Sequence, residues 1–342
     1  MKYTSIGGQA VLEGVMMKSQ TSLVMSVRRS DGTIAIEKQR LVRKKWRKIV
    51  AKIPIVRGVV AFAESLISGM KLTTKSAEMF GEDALEDLEP SKAEKWLAKT
   101  FNIKLETIAI VLGVLFGLVF SLVLFMFLPM LARTGLEALG LTNVLALDAI
   151  EGVIKILIFM GYIFVIGFMK DIKRLFMYHG AEHKVISCYE HGEELTVENA
   201  HKYSTSHPRC GTSFMFIVMA IGIIFATMAD DLFGLNTATP QAFAIRLAVK
   251  LLLLPFTAGL SYEILKLLAL SDNVFFKILR TPGMLMQKLS TREPEDEMLE
   301  VSLTSFKNVL YMDGLMEEPK DEPNQEVQEE PAEENEVQND GC

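Results

Sequence analysis

Length, composition and charge restrict the class of protein to which this chain belongs. It has 342 residues, of which 50% are hydrophobic, a formal net charge of -6 and a positive mean hydropathy of +0.27. This composition favours an integral membrane protein over two or three soluble domains. Three scattered cysteines exclude a disulfide framework, and because the start MKYTSIGGQ is polar we expect no secretory signal.

Residues 1–104 are predicted to form a small cytoplasmic α+β unit. The stretches SLVMSVRR and TIAIEKQ alternate apolar and polar residues and are joined by Ser30-Asp31-Gly32, which predicts a β-hairpin. The stretch RGVVAFAESLISGMKLTTKSAEMF then has the spacing of an amphipathic or half-buried helix. With the basic residues that precede it, this helix either lies against anionic headgroups or presents a solvated basic face.

Four long apolar stretches predict a transmembrane domain over residues 105–270. A helix needs roughly 20 apolar residues to cross the hydrocarbon core of a bilayer. The predicted spans are residues 107–132, 149–169, 211–229 and 242–270. The fold class is therefore a mainly α integral membrane protein with about four transmembrane helices, and the bilayer is its expected partner. We expect no nucleic-acid partner.

The distribution of Lys and Arg among the loops predicts the orientation. Residues 133–148 contain one arginine and residues 230–241 contain no cation, whereas residues 170–210 and the segment after the fourth span are rich in Lys and Arg. Because short cytoplasmic loops collect cations, the chain is predicted to be a multi-pass protein of the bacterial cell membrane with both termini in the cytoplasm.

The C-terminal part divides into a cytoplasmic segment, residues 271–316, and an acidic tail, residues 317–342. The tail carries 11 acids against one lysine and almost no large apolar residue, so the rest of the chain has a net charge of +4. Such a composition cannot bury enough apolar surface to offset the entropy of ordering. We predict that the tail is disordered.

A candidate metal site lies in the loop after the second span. All five histidines fall within 29 consecutive residues, and YHGAEHKVIS contains the pattern H-x-x-E-H. On a helix, His179 and His183 lie one turn apart on one face, where both imidazoles can bind one zinc ion. Glu182 beside them is the candidate catalytic base. A polar helix end without a metal is the alternative.

A catalytic zinc ion needs a third protein ligand and one open position. Three residues are candidates, namely Glu263 in the fourth span and His207 and Cys210 in HPRCGTS. Glu263 is alternatively the partner of a cation in an ion pair. If both His207 and Cys210 join the pair of histidines, four ligands fill the site, which is then structural.

The N-terminal stretch GGQAVLEGVMMKS lacks the patterns of phosphate loops and dinucleotide folds. Gln9 and Glu13 lie one turn apart if this stretch is helical, and they could then face the histidine loop beside the metal or the substrate. A packing turn is the alternative.

Five motifs in this order resemble those of the YqhQ-like family of bacterial membrane proteins: GGQAVLEGVMMKS, PIVRGVVAFAESLISGMK, YHGAEHKVIS, HPRCGTSF and GLSYEILKL. The resemblance covers about residues 5–302 and implies a metal-dependent enzyme of unknown reaction. It supports the following residues as members of the family's polar motifs: Gln9, Glu13, Arg57, Glu64, His179, Glu182, His183, His207, Arg209, Cys210 and Glu263.

The sequence therefore leaves two functions open. The first is a metal-dependent enzyme, with zinc as the expected ion, possibly a hydrolase with its site at the cytoplasmic membrane face. The second is a non-enzymatic membrane scaffold or regulator with a structural metal site.

Overall fold

The structure is a computed structural model that describes residues 4–41, 50, 52–81, 105–207, 210–234, 240–269, 273–319 and 325–330. Its strands are β1 (Gly7–Val11), β2 (Gly14–Lys18), β3 (Ser22–Arg28), β4 (Ile34–Arg40) and β5 (Gln325–Glu330). Its helices are α1 (Val56–Phe80), α2 (Leu105–Leu122), α3 (Leu128–Ala138), α4 (Val144–Ile166), α5 (Lys170–Glu190), α6 (Val197–His201), α7 (Gly211–Leu232), α8 (Pro240–Ala269), α9 (Val274–Ser290) and α10 (Asp296–Met312). A π-helical turn, Val123–Phe127, joins α2 to α3.

Four N-terminal strands form an antiparallel sheet in the order β1-β2-β3-β4. The predicted hairpin is confirmed as β3 and β4. A second hairpin, β1 and β2, was not predicted, and the helical alternative for Gln9 and Glu13 is wrong. Gln9 lies on β1, and Glu13 lies in the turn between the two strands with a positive φ of 49°.

The sheet is apolar on both faces. On one face, Val15 and Met17 of β2 pack in a core that includes residues of α5 and α10. On the other face, Met16 packs in a second cluster with Leu72 of α1. Because both faces are buried, β2 reads as a continuous apolar run without the alternation that reveals a strand.

Helix α10 anchors the sheet from the C-terminal part of the chain. The hydroxyl of the fully buried Ser305 donates to the carbonyl oxygens of Val15 (3.0 Å) and Val24 (2.9 Å) on two adjacent strands. Asp313, just after α10, accepts hydrogen bonds from Thr21 and Ser22, each at 2.7 Å. The N-terminal sheet is therefore completed by residues almost three hundred positions later in the chain.

Part of the acidic tail differs from the prediction of disorder. Residues Gln325–Glu330 form β5, which pairs in parallel with β4 in a register that sets Lys38 opposite Glu329. The edge strand of a sheet offers unpaired backbone N–H and C=O groups to any extended segment, so pairing does not require apolar side chains. The remainder of the tail from residue 331 lies outside the described residues.

Among the described residues, three helical stretches are long and apolar enough to cross a membrane, rather than the four predicted from sequence. They are Leu115–Ala138, Ala146–Ile166 and Leu247–Leu267. The predicted third span lies in α7, where the apolar stretch among the described residues, Phe216–Ala229, is shorter. The helices thus match a membrane protein in length and composition.

The chain divides into two compact units. One comprises Met1–Gly81, Phe164–Ile221 and Leu254–Cys342, and it contains the sheet, α5, α10 and every residue of the candidate site below. The other comprises Glu82–Ile163 and Gly222–Leu253, which includes most of the apolar helices.

Candidate metal centre

Helix α5 presents the two histidines of the H-x-x-E-H motif on one face. The helix continues from Lys170 to Glu190 without a break at Gly180. A Cβ atom at Gly180 would lie 2.1 Å from the carbonyl oxygen of Arg292, so glycine is required here for close backbone packing. Since α5 stays regular, His179 and His183 project one turn apart, with ring centroids separated by 4.4 Å.

Cys210 completes a group of three potential ligands. One ligand atom from each of His179, His183 and Cys210 lies within 4.8 Å of the other two. Nε2 of His179 lies 3.2 Å from Sγ of Cys210. Two imidazoles and one thiolate form a donor set that suits zinc and leave one position of a tetrahedral ion for water or substrate.

Backbone carbonyls orient both rings toward a common point. Nδ1 of His179 lies 2.9 Å from the carbonyl oxygen of Ser290, and Nδ1 of His183 lies 2.6 Å from that of Thr205. A carbonyl can only accept, so each Nδ1 donates a proton to its carbonyl, and Nε2 is the ring nitrogen that is available to a metal ion. This arrangement is the one that metal-binding histidines use to fix their tautomer.

Nε2 of His183 is a buried polar atom without a hydrogen-bond partner among the described residues. Its side chain is only 1% exposed. Burial, followed by the nearby His179, lowers the pKa of His183 to about 3, so the ring is neutral at physiological pH. A neutral imidazole with a free lone pair is the form that binds a metal ion, and a bound ion would satisfy the orphaned atom.

Glu182 lies beside the three ligands and is almost fully buried. Its Oε1 accepts a hydrogen bond from the backbone N–H of Gly8 at 3.1 Å. Burial raises the pKa of Glu182 to about 7, against the opposing effect of His179. A Cβ atom on Gly8 would lie 2.8 Å from Cγ and Cδ of Glu182. The second glycine of the GGQ stretch therefore gives the glutamate its space and its hydrogen-bond donor.

His207 does not belong to the group of ligands. Its Nε2 pairs with Oε2 of the buried Glu190 at 3.3 Å, and its backbone forms two hydrogen bonds of 2.9 Å with the side chain of Gln287. Its ring centroid lies 5.9 Å from that of His183. These contacts show that His207 holds the loop that leads to Cys210. The sequence alone did not distinguish this structural role from that of a metal ligand.

Glu263 also lies outside the group, and the expectation that it is a ligand is not supported. Its carboxylate accepts from Nε of Arg57 at 2.7 Å and pairs with Nη2 of the same guanidinium. The ion pair that the sequence left as the alternative is thus observed, with Arg57 of α1 as the cation. Glu64, on the same helix, is half-buried.

The other predicted polar residues support the scaffold around the site. Glu13 accepts two hydrogen bonds of 2.5 Å from Arg174 and one of 3.3 Å from the hydroxyl of Tyr178, which tie the first hairpin to α5. Gln9 extends toward Gly69 of α1. Arg209 lies outside the described residues.

Sequence reasoning did not find the groups that orient the histidines and the glutamate. These groups are the carbonyls of Ser290 and Thr205 and the amide of Gly8. Every residue has a backbone carbonyl, and all but proline have an amide, so no sequence pattern marks the ones that matter. Only the steric requirement at Gly8 leaves a trace, in the choice of glycine.

Comparison with known proteins shows the family to which the chain belongs. A family model described as "Protein of unknown function (DUF1385)" matches residues 53–312, and the chain belongs to this family. The uncharacterised protein YqhQ of Bacillus subtilis (strain 168) is 34% identical over 313 residues, which cover 91% of this chain and 94% of the relative. The resemblance to the YqhQ-like family is confirmed, while neither description assigns a metal or a reaction to the family. No solved structure matches the chain.

Proposed function

We propose that this protein is a metal-dependent membrane enzyme, with zinc as the ion and hydrolysis as the reaction. The observation that carries the proposal is the neutral, buried Nε2 of His183, which converges with His179 and Cys210 while both Nδ1 atoms are held by carbonyls. Burying a polar atom without a partner is costly, and a bound ion removes that cost.

The residues of the site suit a hydrolytic reaction. A zinc ion, when bound, polarises the substrate's carbonyl or phosphoryl group and makes a water molecule more acidic. Glu182 is the group that accepts the proton of the attacking water and returns it to the leaving group. Its pKa of about 7 suits both tasks near neutral pH, and the Gly8 amide holds one of its oxygens in place.

We further propose that the protein spans the bacterial membrane several times with both termini in the cytoplasm. The loops rich in Lys and Arg support this orientation, which requires α7 to cross the bilayer as a fourth span beside the three longer apolar helices, because only an even number of crossings leaves both termini on one side. The substrate is then a peptide, lipid or other molecule that reaches the site from the cytoplasmic face of the bilayer.

Metal content tests the first part of the proposal. We expect detergent-purified protein, prepared without chelators, to contain about one zinc ion per chain, as a mononuclear site requires. His179→Ala and His183→Ala should each lose the ion. His191→Ala is the matched control, because His191 caps the same helix, where its ring bonds to the carbonyl oxygen of Ser187 and packs on Tyr203, and it is not one of the three potential ligands. Retention of the ion in both ligand variants would refute the site.

Cobalt substitution separates an enzyme from a scaffold with a structural ion. Ligation by Cys210 should give a thiolate-to-cobalt absorption band that is absent in Cys210→Ser. A site with three protein ligands should bind acetohydroxamate, which would shift the cobalt spectrum, and Glu182→Gln should keep its cobalt. An unchanged spectrum at saturating acetohydroxamate would indicate four protein ligands and favour the scaffold.

A further inference from the structure

Helix α1 contacts a candidate membrane span backbone to backbone. A Cβ atom on Gly58 would lie 2.8 Å from the carbonyl oxygen of Gly259 in α8, and one on Gly259 would lie 2.6 Å from the carbonyl oxygen of Ile55. Both positions therefore need glycine. Small residues that let two helices approach this closely are typical of helix pairs inside membranes.

The point of contact lies well inside the span. Gly259 is eight residues before Leu267, the end of the apolar stretch in α8. At a rise of 1.5 Å per residue, this places the contact about 12 Å from the end of the span. If α8 crosses the bilayer, the first turn of α1 lies at the depth of lipid chains and not at the headgroups.

The backbone just before α1 is irregular, and a side chain of the candidate span in α8 accepts its hydrogen bond. Ile55, which precedes the helix, has a positive φ of 65°. Its backbone N–H donates to Oε1 of Glu263 at 3.3 Å, and the same carboxylate pairs with Arg57 in the first turn. Non-helical backbone at membrane depth is tolerated only where protein groups satisfy it. Glu263 accepts the hydrogen bond of the Ile55 amide, and Arg57 balances the charge of its carboxylate.

The opposite side of α1 is apolar and exposed. Val56, Ile67 and Met70 are between 42% and 74% exposed, and their separations of about three turns and about one turn place them on one side of the helix. Ile53, which is 46% exposed, lies in the turn before the helix. Between Ile53 and Met70 only Arg57 and Glu64 are charged. Lys52 and Lys71 bracket this stretch, where their long side chains can extend to the headgroups.

We infer that α1 is a re-entrant helix that begins inside the bilayer, pinned to α8 by Gly58 and by the Arg57–Glu263 pair, with lipid chains against its exposed apolar side. The far end of the helix packs on the sheet, through Leu72 and through the hydrogen bond from the Leu12 amide to Ser76 at 3.3 Å. The helix thus connects lipid to the sheet whose β1 carries Gly8. This inference rests on the membrane placement proposed above.

Depth-dependent fluorescence quenching tests the inference on the full chain in phosphatidylcholine and phosphatidylglycerol vesicles. Both native tryptophans, Trp46 and Trp96, are first replaced by Phe. Single tryptophans are then introduced by Val56→Trp and Met70→Trp. We expect lipids brominated deep in the chain to quench Val56→Trp most strongly, and lipids brominated near the headgroup to quench Met70→Trp most strongly.

Two further positions make the outcomes distinguishable. Leu157→Trp, on the exposed side of α4, reports whether the protein is in the membrane, and Glu78→Trp, at the sheet end of α1, should not be quenched. Quenching of Leu157→Trp without quenching of Val56→Trp would overturn the inference alone and point to water or a second copy of the chain on this side. Equal shallow quenching of Val56→Trp and Met70→Trp would show a surface helix instead. An unquenched Leu157→Trp would overturn the membrane placement as well, whereas the zinc site is judged separately by metal content.

The Arg57–Glu263 ion pair is tested by exchanging its two charges. Arg57→Glu alone should abolish deep quenching of Val56→Trp, because two carboxylates then face each other at low dielectric. Arg57→Glu combined with Glu263→Arg should restore it in part, because the charges are paired again while the Ile55 amide loses its acceptor. Deep quenching that persists in the single variant would exclude the pair as the element that holds α1.

Discussion

Gly7 and Gly8 are adjacent in the sequence but differ in what surrounds them. A Cβ atom added at Gly7 meets nothing within 4 Å, whereas one added at Gly8 meets Cγ, Cδ and Oε1 of Glu182 at 2.8 to 2.9 Å. Glu182 is 5% exposed, so its side chain has little room to move away. The added methyl group of an alanine would therefore clash with the site at Gly8 but not at Gly7.

We predict that Gly8→Ala lowers stability by about 1–3 kcal/mol, the usual cost of overpacking a filled interior. Gly7→Ala should change it by less than about 0.5 kcal/mol, as for most surface substitutions. The midpoint of heat-induced loss of the monodisperse peak in size-exclusion chromatography measures both. Equal midpoints for the two variants would mean that Gly8 is not packed on Glu182.

At the scale of elements, α3 and α4 are joined by a buried ionic cluster. Arg133 of α3 is 4% exposed and pairs with Asp148, and its Nη1 lies 3.4 Å from Glu151. Lys155 lies 2.7 Å from the other oxygen of Glu151. Two cations thus balance two buried carboxylates. Charges inside a candidate span persist only when they are paired in this way.

Arg133→Gln is predicted to cost about 3–5 kcal/mol, because it leaves two buried carboxylates with one cation. Glu137→Gln is the matched control. It contacts the same guanidinium at 3.0 Å, but its side chain is 39% exposed, so its loss should cost less than about 1 kcal/mol. The midpoint of heat-induced loss of the monodisperse peak, measured in detergent, compares the stability of the two variants. A stable Arg133→Gln protein would show that water reaches the cluster.

For the whole molecule, the distribution of cations predicts the side of the membrane on which each loop lies. Alkaline phosphatase fused after Leu141 should be active, because the segment between α3 and α4 is expected outside. The same enzyme fused after Glu193 should be inactive, and a fluorescent protein fused after Met316 should fluoresce in the cytoplasm. An active fusion after Glu193 would invert the orientation and move the histidine cluster to the outer face.

Local patterns in the sequence determined much of this protein. Apolar runs of sufficient length predicted helices that could span a membrane, the Ser30-Asp31-Gly32 turn predicted the β3–β4 hairpin, and the H-x-x-E-H spacing placed His179 and His183 on one helix face. Each of these signals is local in the sequence, from four residues for the pair of histidines to about 20 for an apolar run. The motifs in combination were also sufficient to identify the family.

The tertiary structure decided what depends on distant residues. It separated Cys210, which joins the two histidines, from His207 and Glu263, which pair with Glu190 and Arg57. It also revealed β2, whose two buried faces give no alternating pattern, and β1, which pairs with it, and it placed β5 on the edge of β4. The physical reason is common to all of these cases. A carboxylate or imidazole is satisfied equally well by a metal, a guanidinium or a backbone group, and only the folded chain determines which of them lies within reach.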